Sequence, residues 1–489
     1  MNTIKKVSII ALLSVVVLST GCKKFLDVNT NPNVVYGPQV SLVLPSAQMY
    51  VASAVGCNLQ INGSIWAQHW TQSPLASQYK ILEQYFPSGS NYDNSWGLMY
   101  SQALPDLKYV EKTATATNYK QYVAISKLMQ AYMFQLATDA WGDIPFSEAG
   151  KGEVADGGIT SPRYDAQSSI YDGIIKLITD ATALIDATDP NHPATDDLVY
   201  GGNMNNWKAF ANTLKLKVYL RLSEVDSVKA KAGIAALGAA PSGGYITTTN
   251  PAQIAFLNTA GAYNPLYAEI VGLTKTQNLV ASKTAVDYYK NNNDLRVTKF
   301  YNATSVAGAT GCQQGNYNTQ VSGVNYPSDL VGALSSSTNS GTAPVKFISS
   351  YESLLLQAEA KVRGWITGGG DSLNYAQAVS NNFTSYGLLA TDAATYLASA
   401  GGAYPSTGTK TAKLKAILTQ KWACMNGNQG FEAWTEWRRT GYPDFFTVST
   451  NSLIGQVFPA RFFYPNVEVT RNLNFPGQKL ITDKVWWDK

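Results

Sequence analysis

YKQYVAISKLMQAYMFQLATD, residues 119–139, decides the fold class. Its apolar positions Tyr122, Ile125, Met129, Tyr132 and Leu136 advance by three or four residues at a time. A helix turns once per about 3.6 residues, so this spacing lays them along one stripe, whereas a strand alternates every second residue. The same period marks 165–187 through Ile170, Ile174, Leu177, Ile178, Ala181 and Leu184, with Asp165 as the expected N-cap after Pro162. It marks 205–225 through Trp207, Ala211, Leu214, Val218 and Leu222. In 346–363 it runs through Phe347, Tyr351, Leu354, Leu355, Ala358 and Val362, closed by Gly364, and in 410–425 through Leu414, Ile417, Leu418 and Trp422. A shorter helix, Phe431 to Arg439, stops at Gly441 and Pro443, and 371–386 is a weaker candidate. Most of these segments pair across short turns, the format of stacked helix–turn–helix units.

Between the helices lie Gly-, Ser-, Asn- and Thr-rich stretches at 236–265, 302–345 and 442–480. Loops this long in a compact domain are functional or disordered. Their tyrosines, Tyr245, Tyr263, Tyr301, Tyr317 and Tyr326, favour ordered surface. No composition break reads as a linker. The expectation is an all-α body with long loops and little β structure.

The N-terminus sets the compartment. Lys5 and Lys6 precede Val7 to Leu18, an uncharged apolar run matching a signal h-region and too short for the roughly 20 residues of a membrane-spanning helix. Leu18-Ser19-Thr20-Gly21-Cys22 follows and resembles a bacterial lipobox, with Ser19 where a large apolar residue is usual. Two readings stand: cleavage before Cys22 with acylation of its thiol, or plain secretion with Cys22 left as a spare thiol. Acyl chains, each buried methylene contributing about 0.8 kcal/mol, would anchor the protein with no spanning helix. Downstream, the apolar stretch 232–257 is broken by Gly238, Pro241, Gly243, Gly244 and Pro251.

Removing residues 1–21 deletes two lysines and no acid, so the formal charge falls from +4 to +2. That gives no basic field for nucleic acid and no acidic tail. Cys57, Cys312 and Cys424 remain, and an odd number excludes a complete disulfide framework. Either Cys57 pairs with Cys312, both in Gly-flanked segments, or the three are separate buried thiols.

Signals for catalysis are missing. His69 and His192 have no partner at metal-ligand spacing, so no metal is expected. No nucleophile elbow, P-loop or dinucleotide fingerprint occurs, so no cofactor is expected. His69, inside Trp66-Ala67-Gln68-His69-Trp70, reads as a packed or ligand-contacting ring, and His192 as a turn residue. A glycosidase needs two carboxylates about 5–9.5 Å apart. Asp143 with Glu148, or Glu432 with Glu436, can be nominated, but the second pair stands one helical turn apart beside Arg438 and Arg439, which suits ion pairing.

Signals for binding are present. Capture of a neutral glycan needs flat aromatic faces with polar handles, which Tyr and Trp supply. The chain has 29 Tyr against 16 Phe. The densest cluster runs from Trp66 to Tyr100, and loop 302–330 adds amides and tyrosines. The candidate ligand residues are Trp66, Trp70, Tyr79, Tyr85, Trp96, Gln313, Asn316, Tyr317 and Tyr326. The competing reading is that the first cluster packs N-terminal helices onto the body. If loop 302–330 is part of the site, alanine at Tyr317 and Tyr326 weakens binding and leaves the melting temperature nearly unchanged.

Five motifs occur in order: Trp141-Gly142-Asp143-Ile144-Pro145-Phe146-Ser147-Glu148-Ala149; Trp207 to Lys217 followed by Leu220-Arg221; Tyr351 to Ala360 with Gly364; Thr419-Gln420-Lys421-Trp422 with Glu432 to Pro443; and Pro459-Ala460-Arg461 with Tyr464-Pro465 and Glu468. Together, after a lipoprotein signal, they resemble the SusD/RagB family over roughly 22–489. The resemblance implies helix pairs stacked like tetratricopeptide units, with loops building a binding face. It implies an outer-membrane lipoprotein of Bacteroidetes-type bacteria, facing the exterior, that is not an enzyme. It also implies a SusC-type TonB-dependent transporter as partner, and an oligosaccharide or peptide as ligand. On this reading residues 1–21 are the signal, 22–40 a tether and 41–489 one nutrient-binding domain. Gly142 and Pro145 then shape a helix exit, Glu359, Arg438 and Arg439 tie helices together, and Trp422, Trp434 and Trp437 belong to the core. A surface glycosidase and a helical scaffold that binds only proteins are the alternatives.

Overall fold

Thirteen helices of at least eight residues carry the described part of the chain. The computed structural model describes residue 37 and residues 39–489 except 320. The expected signal at 1–21, the expected acylation site Cys22 and the expected tether at 22–40 fall outside that range, save Gly37, Gln39 and Val40. The chain divides after Gln39 into two units, and the second, Val40–Lys489, holds everything below.

Helix α1 (Val40–Trp66) comes first, its middle turn widened into a π-helix over Val55–Leu59. By length and composition it could cross a membrane, yet Leu44, Ala47, Val51, Ala52, Leu59 and Ile65 are all buried. From Val51 onward the helix is buried on nearly every side and apolar nearly all round, which is why no stripe marks that half in the sequence. Next come α2 (Leu104–Ala116), α3 (Lys120–Trp141), α4 (Gln167–Leu184), α5 (Met204–Arg221) and α6 (Ser227–Leu237), each packed on the one before. Then follow α7 (Pro265–Gly272), α8 (Lys283–Asn291), α9 (Ser350–Val362), α10 (Asp371–Ser385), α11 (Ala390–Ala398), α12 (Lys410–Cys424) and α13 (Gly430–Thr440). The second half stacks α9 on α10 and α12, and α12 on α13, while α5 meets α9 and α1 meets α13. The result is the all-α stack of helix pairs that the periodicity implied.

Among the described residues, β structure amounts to three antiparallel two-stranded ribbons and two isolated bridges. The ribbons pair β1 (Trp70–Gln72) with β5 (Leu279–Ala281), β2 (Ile144–Pro145) with β3 (Tyr164–Asp165), and β4 (Ala252–Ile254) with β6 (Val345–Ile348). Two helix starts differ from expectation. Asp165 does not cap α4; its carboxylate instead accepts the backbone N–H groups of Phe146 (3.0 Å) and Ser147 (2.7 Å). The segment expected to turn helical at 346 stays extended through Ile348, because Val345, Lys346 and Ile348 pair with β4 and Ser349 supplies the cap, accepting from Glu352 N at 3.2 Å. The WGDIPFSEA motif is a hub. Gly142, at φ 78°, ends α3, Trp141 Nε1 donates to the Phe463 carbonyl at 2.9 Å, and the Tyr464 hydroxyl donates to the Asp143 carbonyl at 2.7 Å.

A buried ionic network joins five helices at the centre. Lys217 on α5 meets Glu352 on α9 at 3.0 Å and Glu432 on α13 at 2.9 Å. Arg221 reaches Glu432 at 2.6 Å, Asp139 on α3 at 3.3 Å, and also Glu436. Lys421 on α12 holds Glu436 at 2.8 Å. Arg439 forks onto both oxygens of Glu359 (2.7 and 2.8 Å) and onto Glu436 at 2.6 Å. The tie expected of Glu359 and Arg439 is therefore present. Arg438 differs, spending its donors on the Asp139 and Ala460 carbonyls. Burial pushes Glu359 up, but Arg439 and Arg363 outweigh it and hold the carboxyl at about 2.

Cys57 and Cys312 are not bonded. All three described cysteines are free and buried, Cys57 in the π-turn of α1 and Cys312 in a bridge beside Ser282. Burial raises each thiol, Cys312 and Cys424 to about 11.

Candidate functional site

Most of the aromatic cluster read as a ligand platform is core. Trp66, Trp70, Tyr79, Tyr85, Trp96 and Tyr317 are buried, none more than 9% exposed. Trp66 sits edge-on to Trp434 (4.9 Å) and donates Nε1 to the Leu82 carbonyl, while Trp96 stacks on Tyr100 at 4.2 Å. The C-terminal Phe462 slots between them, stacked on Tyr92 (4.4 Å) and Trp434 (5.4 Å). These rings pack N-terminal segments onto the body and have no face for a ligand. Tyr317 lies beneath the Lys80 ammonium (5.1 Å), so alanine there removes packing and lowers the melting temperature, contrary to the earlier expectation. Gln313 is exposed, and Asn316 and Tyr326 are half-buried.

What the N-terminal segment and loop 302–330 do share is a platform, completed by residues 444–455. Gln314 Nε2 donates to the carbonyls of Ile65 (2.9 Å) and Trp70 (3.2 Å), and Thr450 N donates to the Gln314 carbonyl at 3.1 Å. Leu453 N donates to the Gln84 carbonyl (2.9 Å), and Ser449 N to the Tyr85 hydroxyl (3.2 Å). Gln68 Nε2 donates to the Thr447 carbonyl at 2.6 Å, while its oxygen accepts from the Thr284 hydroxyl at 2.7 Å. Gln68 and Tyr85 both hold φ of 57°, a left-handed backbone unusual for side-chain-bearing residues and characteristic of constrained sites.

Glu83 is the keystone. Fully buried, its carboxylate accepts from Gln72 N (3.2 Å) and Gly315 N, joining β1 to loop 302–330. Burial raises its pKa from 4.5 to about 7, against the lowering effect of bonds from Thr71, Gly315 and Gln72. The folded value lies above the unfolded one, so the stability that protonated Glu83 contributes is present below about 4.5 and lost as pH rises through about 7. Glu83→Gln is therefore expected to match the parent at pH 4.5 and exceed it at pH 8 by on the order of 2–3 kcal/mol. Urea titrations at the two pH values test this, and equal differences at both would reject it.

Beside the platform opens a cleft of about 650 Å³ between α8, α12 and residues 444–447, within the roughly 300–1,000 Å³ usual for ligand pockets. Tyr289 anchors α8, its hydroxyl donating to the Ala423 carbonyl at 2.9 Å, which leaves the adjacent Tyr288 on the cleft. Tyr288 stacks on Phe445 (5.6 Å, 22°) over the edge of Trp422, and its hydroxyl accepts from Gln420 at 3.0 Å. Around this stack stand Gln313, Asn291, Asn292, Thr284, Thr419 and Thr447. The site thus has aromatic surface encircled by amides and hydroxyls. Of the residues read from sequence, only Gln313 lines it. Tyr288 and Phe445 escaped because they lie far apart in the chain. The signal that could have found Tyr288 is its run Tyr288-Tyr289-Lys290-Asn291-Asn292-Asn293, the same aromatic-plus-amide composition.

A larger cleft of about 880 Å³ also lies against α12, lined by Trp437, Phe458, Thr411, Thr440 and Gln456 among others. Trp437, expected in the core, is half-buried there. Two ion pairs stand on its walls: Arg363 holds Glu224 at 2.8 Å, and Lys484 holds Asp488 at 3.4 Å.

The carboxylates nominated for catalysis are engaged. Asp143 accepts from Gln167 N (2.8 Å), Glu148 holds Arg163, and Glu432 and Glu436 belong to the buried network. His69 is packed against Trp422 (5.1 Å) with Nε2 3.0 Å from that residue's carbonyl, and burial lowers its pKa to about 3. Among the described residues no group of three His, Cys, Asp or Glu is placed to hold a metal ion.

Stacked helix pairs bearing a preformed loop platform and an aromatic cleft define a helical binding module. The chain belongs to the SusD-like family: that family's model, described as "Starch-binding associating with outer membrane", matches residues 32–465. Among solved structures the chain is similar to a chitin-binding protein (23% identity, TM-score 0.77, covering 92% of this chain and 100% of that one). It is also similar to a SusD homologue from Bacteroides uniformis (21%, TM-score 0.75, covering 91% and 99%) and to a chitin-binding SusD homologue from Flavobacterium johnsoniae (20%, TM-score 0.74, covering 91% and 98%). No curated protein matches.

Proposed function

We propose that the protein captures an oligosaccharide outside the cell and passes it, unaltered, to a SusC-type TonB-dependent transporter in the outer membrane, acting as that transporter's lid. The Tyr288–Phe445 stack, ringed by amides and hydroxyls, carries this reading, because sugars offer apolar C–H faces to rings and hydroxyls to fixed polar groups. The family's description as starch-binding and outer-membrane-associated supports it, as do the relatives described as chitin-binding. Release without turnover fits carboxylates that are all engaged in structural bonds. Acylation of Cys22 and a tether over 22–40 would hold the 41–489 domain at the membrane, facing outward. Held there, even a millimolar site, contributing about 4 kcal/mol, works at high effective concentration.

The test is a thermal-shift and calorimetric screen of chito-oligosaccharides, malto-oligosaccharides and peptides. A glycan at 100 times its Kd is expected to stabilise the fold by about 2.7 kcal/mol. Tyr288→Ala and Phe445→Ala are each expected to weaken that glycan at least tenfold, about 1.4 kcal/mol. Stabilisation by peptides alone would overturn the ligand class, and release of shortened glycans would overturn delivery without cleavage.

A further inference from the structure

We infer that the two clefts are halves of one binding track, and that the ligand is a linear, uncharged oligomer long enough to cross the ridge between them. The inference rests on the glycan reading above. Both clefts lie against α12: Thr411, Leu414 and Leu418 line the larger, while Lys415 and Thr419 line the smaller. These are adjacent rows of one helix, stepping by three and four. The ridge is the segment after α13, with Tyr442 on the larger cleft and Asp444, Phe445 and Thr447 on the smaller.

A ribbon of rings runs across that ridge without a gap. Tyr288 stacks on Phe445 at 5.6 Å, Phe445 meets Phe446 at 6.2 Å, Phe446 stacks on Trp437 at 5.2 Å, and Trp437 meets Phe458 at 4.8 Å. All five rings are half-buried, whereas the Trp66–Trp434–Phe462 cluster is sealed. They rest on the core on one side and reach solvent on the other. A single small molecule needs one such ring pair. A chain of sugars repeats its apolar face from unit to unit, and a succession of rings seats that repeat.

Polar groups suited to hydroxyls stand at both ends, Gln313 and Asn291 at one and Thr411 and Gln456 at the other. Four cations along the track carry a carboxylate partner. Lys283 pairs with Asp287, Lys415 with Asp444 at 2.6 Å, Arg363 with Glu224 and Lys484 with Asp488. At the smaller cleft both lining cations, Lys283 and Lys415, carry a carboxylate partner, so that half of the track suits a neutral chain.

Calorimetry with neutral chito- and malto-oligosaccharides from disaccharide to octasaccharide tests the inference. Affinity is expected to climb at least tenfold with length before levelling. Asn291→Arg, which blocks the smaller cleft from an exposed position, should remove binding at every length. Thr411→Arg should spare the disaccharide and abolish the gain of long chains, and Trp437→Ala, if its melting temperature is kept, should do the same. A disaccharide bound as tightly as an octasaccharide would overturn the continuous track while leaving the capture function standing. So would long-chain binding that ignores Thr411→Arg. No binding by any glycan would overturn both readings.

Discussion

Arg439→Ala is expected to lower folding stability by about 3–5 kcal/mol, because it strips the forked partner from Glu359 and one partner from Glu436 where neither can reach water. Surface ion pairs of the same chemistry contribute about 0–1 kcal/mol, so the size of the effect reports the burial. The pH dependence separates this cause from lost packing. Glu359 sits at about 2 in the folded state and Glu436 also lies well below its ordinary value, so their contribution is present above about 4.5 and lost as pH falls through about 2. In Arg439→Ala that acid-sensitive part should shrink, and Arg439→Lys, which keeps charge but not the fork, should fall between. Denaturant midpoints at pH 7 and pH 3 measure it. A loss below 1 kcal/mol at pH 7 would contradict the network's role.

Gly63→Ala is expected to lower stability for a steric reason. A Cβ on Gly63 would lie 2.1 Å from Phe431 N and 2.3 Å from its Cα, and one on Gly430 would lie 2.6 Å from Ser64 N. Helices α1 and α13 therefore touch backbone to backbone. Alanine is the better helix former by about 1 kcal/mol, but forcing two packed helices apart costs about 1–3 kcal/mol and occasionally more, so the clash wins. The separation would also open the Trp66–Trp434 contact at 4.9 Å. Soluble yield and melting temperature are the readouts, and an unchanged melting point would show that the crossing can relax.

The helices were legible where one face alone is apolar or where motifs mark the ends. Residues 119–139, 205–225 and 410–425 read correctly to within a few positions as α3, α5 and α12, and Gly441 ends α13 in the left-handed conformation. Helix α1 was not legible, because near-complete burial of its second half, Val51 to Trp66, erases the period that pattern reading needs. Nor were α2, which continues a π-widened helical run from Asp93, and the nine-residue α8. The site was harder. Aromatic density pointed to Trp66–Tyr100, yet density along a chain measures how much apolar surface a segment brings and not which side of it faces water. The rings that reach solvent, Tyr288, Phe445 and Trp437, come from three separated segments and meet only through the packing of α12 and α13.

The interlocking of loop 302–330, residues 444–455 and the β1 segment through Glu83, Gln68 and Gln314 has a kinetic consequence. Segments that hold one another in place beforehand surrender little freedom when a guest arrives, so association needs no slow rearrangement and complex lifetime is governed by escape. For a carrier of the kind proposed above, a rigid seat with modest grip turns over faster than one that has to close around its cargo.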